Sequence, residues 1–268
     1  MWKRQFINSP TNVSIFNKAV DENNIFAFKR LLQSPNFRIS ANNNKLFIKL
    51  CSNGKYEFVK VVLQNVNFNP SIPENQPFIE ACRSKNLQLI KLLMEDSRID
   101  PSESNDQAFV DACINNNLDV VKLLLTSRKI SPNAKNNLPL KYTITYKRID
   151  VMKILILDDR TDCSIENNIC LRRACQNGFS EIVSLLLQND KVDPCTLDNF
   201  CIKYAIKNNY SKIISLLFLD ERVFSFAMHC KLLLSINYTP ENNSYLRFLP
   251  KELINIIVYY IIDGMFGF

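Results

Sequence analysis

A chain of 268 residues with 47% hydrophobic and 22% charged residues can bury a full core, which argues against a disordered protein. Its net charge of +7 is spread without a basic run, so the lysines and arginines read as a solvated surface, and nucleic acid is not expected as a partner. Four glycines with no GxGxxG or Walker-type string speak against phosphate loops, and nine cysteines with no CxxC or histidine pair lack zinc spacing; neither cofactor nor metal is expected.

Met1 to Gln5 lead into no continuous apolar stretch, and no segment reaches membrane-spanning length. The expectation is a cytoplasmic protein with reduced thiols and no membrane partner. After a lead of residues 1–11, a 31-residue period runs through residues 12–223. Phe16, Phe47, Phe78, Phe109, Leu140, Leu171 and Ile202 keep it without an insertion, and Ala19, Leu50, Ala81, Ala112, Thr143, Ala174 and Ala205 follow three residues later. The mostly small second position lets helices approach closely. Leu31, Val62, Leu93, Leu124, Leu155, Leu186 and Leu217 complete the register.

Each copy reads as two short helices. In residues 75–101, Phe78, Ala81 and Cys82 have i, i+3, i+4 spacing, and Leu89, Ile90, Leu92, Leu93 and Met94 line a second helix. The break between them falls at Asn23, Gly54, Lys85, Asn116, Lys147, Gly178 and Asn209, mostly residues that tolerate a left-handed conformation. Asn44, Asn75, Asp106, Asn137, Asn168 and Asn199 precede the first helices and are expected to cap them. Pro77 and Pro139 sit in the first turn, where the missing N–H costs nothing. Turns such as Asp100-Pro101-Ser102, Ser131-Pro132 and Asp193-Pro194 follow the second helices.

Cys51, Cys82, Cys113 and Cys175 lie at multiples of the period and read as small buried hydrophobes; Cys163, Cys170 and Cys175 are the nearest thing to a cluster. Catalysis is not expected. The single histidine, His229, stands beside Met228 and Cys230 with nothing else to form a site, and Asp96, Asp158 and Asp159 recur with the turn, as solvated loop residues would.

These residues resemble the ankyrin repeat. Pro77-Phe78, Ala81, Gly54 or Gly178, and Ile90 with Leu93-Met94 match its pattern, whereas the period is two residues shorter than the usual 33 or so. The resemblance implies an all-α solenoid of about seven helix-turn-helix repeats with abbreviated fingers, and a protein target bound by the finger tips and the outward face of the first helices. On this register the face includes Lys49, Glu80, Asp111 and Lys207, with Arg83, Ile114, Tyr142, Tyr146, Arg173 and Tyr204 as the candidate contacts.

Residues 224–268 are read as a degenerate cap repeat and a terminal helix. Leu249-Pro250-Lys251-Glu252-Leu253, then Ile257, then Tyr260-Ile261, resembles the start of an F-box, and Leu253, Ile256, Ile257, Tyr260 and Ile261 would form one apolar face. An ankyrin array with a shortened terminal F-box resembles proteins of poxviruses and other large DNA viruses. That resemblance implies an adaptor in the host cytoplasm, docking on Skp1 of a cullin ubiquitin ligase through Leu249, Pro250, Glu252, Leu253, Ile257, Tyr260 and Ile261. A helix that only seals the last repeat would be equally apolar, so an ankyrin scaffold or a virion-associated structural protein remains the alternative.

Overall fold

The computed structural model of the chain describes residues 8–223 and 225. Among the described residues the regular structure is entirely helical, and it divides into two compact units between Val151 and Met152, inside α10 (Ile149–Leu157).

The first unit holds α1 (Pro10–Asp21) and α2 (Ile25–Leu32), α3 (Ala41–Ser52) and α4 (Tyr56–Leu63), α5 (Gln76–Ser84) and α6 (Leu87–Glu95), α7 (Glu103–Ile114) and α8 (Leu118–Leu125), and α9 (Ala134–Thr145). First helices pack on first helices, α3 on α5 on α7 on α9, and second on second, α2 on α4 on α6 on α8. Helices of two to three turns are marginal alone, so each depends on the apolar face of its neighbour. Phe16, Phe47, Phe78 and Phe109 are fully buried, and the rings of Phe28 and Phe58 meet edge to face at 5.0 Å between α2 and α4. Each such side chain contributes about 1.5–3 kcal/mol by leaving water. The second unit holds α11 (Ile165–Gln176) and α12 (Ser180–Leu186), then α13 (Thr196–Lys207) and α14 (Ser211–Phe218), paired in the same manner.

The break inside each pair is a left-handed residue at all seven sites, from Asn23 at φ 53° to Gly178 at φ 73°. Lys85 and Lys147 adopt it too, at φ 62° and 55°. At six of the seven this closes the first helix with the bond of a Schellman turn, in which the next N–H returns to the core residue, as from Asn24 to Ala19 at 2.8 Å, Asn117 to Ala112 at 2.9 Å and Tyr210 to Ala205 at 2.9 Å; after Lys85 the Asn86 N–H bonds the Ser84 hydroxyl instead. Asn24 and Asn86 then cap α2 and α6, accepting from the N–H groups of Ala27 and Leu89.

The expected caps of the first helices do something else. Asn44, Asp106, Asn137, Asn168 and Asn199 each end a run of three left-handed residues, such as Asn42-Asn43-Asn44, and Asn75 ends a run of two. Their side chains are buried, and that of Asn75 makes no cap hydrogen bond to its own helix. Three of them reach forward to the next loop: the Asn44 amide donates to the Asn69 and Ile72 carbonyls at 2.8 and 2.9 Å, that of Asn75 to Asp100 at 2.7 Å, and Asn168 accepts from the Asp193 N–H at 3.0 Å. A side chain leaving a left-handed backbone cannot fold back on its own first turn as an extended cap residue does, so it straps successive repeats together.

The connecting loops are held by two local turns. Asn65, Asp96, Ser127, Asp158, Asn189 and Asp220 each accept from the N–H two residues on, and Asn69, Asp100, Ser131, Asp162 and Asp193 repeat the device four residues later. Side chains thereby supply the partners a hairpin would, and no strand occurs among the described residues. Cys51, Cys82, Cys113 and Cys175 lie in the core as expected.

Candidate functional site

In the first unit the outward face of the first helices carries a separate polar pair and a longer polar chain. Lys49 on α3 donates to the Asn17 side chain at 2.8 Å. Glu80 on α5 accepts from Gln76 and from Arg83, and Arg83 reaches across to Asp111 on α7 at 2.6 Å. Gln107 bonds Asp111 at 2.6 Å and is in turn held by the Lys135 ammonium. The hydrogen bond to Asp111, with both carboxylates nearby, raises the Arg83 guanidinium above its ordinary pKa. Arg83 is exposed, yet it also bridges two repeats.

Further along this face Ile114 and Tyr142 are half-buried, and Tyr146 is 54% exposed. The rings of Tyr142 and Tyr146 stack at 5.5 Å. Each presents a rigid apolar ring with a polar tip, the character enriched at binding hot spots.

In the second unit Arg173 is exposed and Tyr204 half-buried. Tyr204 stacks on Phe200 at 5.7 Å, and the Arg172 guanidinium lies over Phe200 at 5.9 Å while bonding the Glu166 and Asn167 carbonyls. The six candidate contacts thus fall into Arg83, Ile114, Tyr142 and Tyr146 on one unit and Arg173 and Tyr204 on the other. Leu249, Pro250, Glu252, Leu253, Ile257, Tyr260, Ile261 and His229 lie outside the described residues, as do the proposed cap repeat and the lead before Asn8.

Asp96 and Asp158 are not the free loop carboxylates expected of them. Arg98 grips Asp96 through Nε at 2.8 Å and Nη2 at 2.5 Å; Arg160 pairs with Asp158 and Arg222 with Asp220 in the same two-pronged way. The Arg98 hydrogen bond holds the Asp96 carboxyl below the usual range, and Arg222 does the same for Asp220. Arg98 also donates to the carbonyls of Leu63, Asn65 and Phe68 in the preceding repeat, and Arg222 to that of Val192. The Asp-x-Arg signal recurs every 62 residues, twice the period read above, and a search at the doubled interval would have found it.

Burial pushes the thiols of Cys51, Cys82 and Cys113 far up, and those of Cys163 and Cys195 up to about 11. Among the described residues no three His, Cys, Asp or Glu side chains are grouped to hold a metal, and no helix is long and apolar enough to cross a membrane.

Stacked helix pairs with left-handed breaks and an exposed first-helix row define a helical-repeat scaffold. Its fold is the ankyrin-repeat solenoid: residues 78–169 match the family model for ankyrin repeats (3 copies). The solved structures that match include the crystal structure of the ankyrin repeat domain of Bcl-3, described as a unique member of the IkappaB protein family. The TM-score is 0.51 at 14% identity, covering 79% of this chain and 97% of that one. Comparison with curated proteins gives no match. The ankyrin repeats matched over residues 78–169 indicate a protein–protein interaction module.

Proposed function

We propose that the chain is a substrate-recruiting adaptor of a cullin ubiquitin ligase, acting in the cytoplasm, with its target on the first-helix faces and Skp1 on its C-terminal segment. The observation that carries the target-binding half is the stacked Tyr142–Tyr146 pair, in which a half-buried Tyr142 ring backs the exposed ring of Tyr146 on the outward side of α9. Arg83 and Ile114 extend that surface on the same unit, and Arg173 and Tyr204 offer a second patch. The ligase half rests on the sequence from Leu249 to Ile261, through Leu249, Pro250, Glu252, Leu253, Ile257, Tyr260 and Ile261.

The test is a pull-down of the purified full chain with purified Skp1, beside a Leu253→Asp, Ile257→Asp double variant of unchanged helicity. Capture by the parent and its loss in the folded variant support the adaptor. No capture by the parent refutes the ligase link and leaves an ankyrin scaffold, for which the Tyr142–Tyr146 surface still speaks.

A further inference from the structure

Within the first unit three backbone carbonyls hold a guanidinium at one junction, and the same register positions recur one period earlier. Between the second and third repeats the carbonyls of Leu63, Asn65 and Phe68 take the Arg98 guanidinium at 2.8, 2.8 and 2.9 Å. One period earlier the corresponding residues are Leu32, Ser34 and Phe37, and the residue in the place of Arg98 is Asn67. Its side chain is too short to cross between repeats, and the position of Asp96 is taken by the neutral Asn65, whose oxygen is engaged by the Asn67 N–H. A cleft of about 600 Å³ opens here, lined among others by Leu32, Phe37, Arg38, Asn65 and Asn67.

The chemistry of this cleft favours a flat cation. Helix α2 ends at Leu32, so its last carbonyls carry the negative end of the helix dipole. Phe37 and Val62 supply apolar wall beside them. A guanidinium spreads five donors in a plane and reaches several carbonyls at once, whereas an ammonium is a compact point charge that gives up more hydration. Arg38 also lines the cleft.

We propose that this cleft is a guanidinium-binding site that receives an arginine side chain of a partner protein, in the manner in which the next junction receives Arg98. It shares no residue with the Tyr142–Tyr146 surface and does not depend on what binds there.

The experiment titrates Nα-acetyl-arginine methylamide into the full chain and follows backbone amide NMR shifts. Saturable shifts are expected at residues 32–40 and 65–69, with the lysine counterpart at least about tenfold weaker. Asn67→Arg, which supplies the chain's own guanidinium at the place Arg98 holds one period later, should abolish the shifts and raise the thermal midpoint. Equal responses to the arginine and lysine compounds, shifts confined to other residues, or shifts that persist in a folded Asn67→Arg variant would overturn the proposal. Free arginine binding more tightly than the capped form would also overturn it, by assigning the site to the amino acid.

Discussion

The Asn75 carboxamide donates to the Asp100 carbonyl at 2.7 Å, strapping one repeat to the next, and one period later the same buried position is held by Asp106, which when ionised has no proton to give. Asp106 is 5% exposed, and one of its oxygens has no partner.

Burial therefore raises the Asp106 pKa, opposed by the Ser131 N–H and reinforced by the charge of Asp100. A carboxyl whose folded pKa lies above its unfolded value favours the fold fully only below the unfolded value, and that contribution is lost as pH rises through the folded one. The penalty grows as pH rises through the folded value. Asp106→Asn should stabilise the chain by about 1 kcal/mol at pH 7, with the gain shrinking toward pH 4, in thermal melts at the two pH values.

Arg98 ties three carbonyls of one repeat to a carboxylate of the next. Arg98→Met keeps the apolar stem but removes the charge partner of the half-buried Asp96 and the side-chain donor of the three carbonyls, and should cost about 2–3 kcal/mol in urea unfolding. The depressed Asp96 pKa contributes stability above the ordinary carboxylate value that is lost as pH falls through the folded one. In the variant the Asp96 carboxyl should titrate higher by NMR.

The left-handed breaks differ in cost. Lys85 holds φ 62° with a side chain that disfavours it, so Lys85→Gly should stabilise by up to about 1 kcal/mol. Gly54→Ala should do the reverse by a similar amount of about 1 kcal/mol, since the residue stands at φ 63° and a new Cβ would meet the Asn86 Cβ at 3.3 Å. Chemical denaturation of the two variants against the parent checks both signs.

Cys51, Cys82 and Cys113 are buried, with thiols shifted away from the reactive anion. Iodoacetamide at pH 8 should leave all three unmodified in the native chain and label them at once in urea, as read by peptide mass mapping.

The period, the helix pairs and the breaks were legible because core residues must repeat in register when each unit packs on the next. The role of Asn44, Asn75 and Asn168 was not, because an Asn ahead of a helix reads as a cap and nothing local announces the left-handed run that turns it toward the following loop. Asp96 and Arg98 were missed for a related reason: their clamp occupies alternate repeats only, so Asn67 and Lys129 interrupt it at the single period. Arg83 was legible as exposed, but its bridging of Glu80 and Asp111 depends on the stacking distance between α5 and α7.

Ala112 is the most direct probe of the register, at 3% exposure in the small-residue position where first helices meet. Circular dichroism melts of Ala112→Arg should show lost helicity and a collapsed thermal midpoint, while the exposed neighbour substitution Asn115→Arg leaves both near the parent values. An Ala112→Arg chain with the parent's helicity and midpoint would contradict the repeat packing on which every assignment here stands.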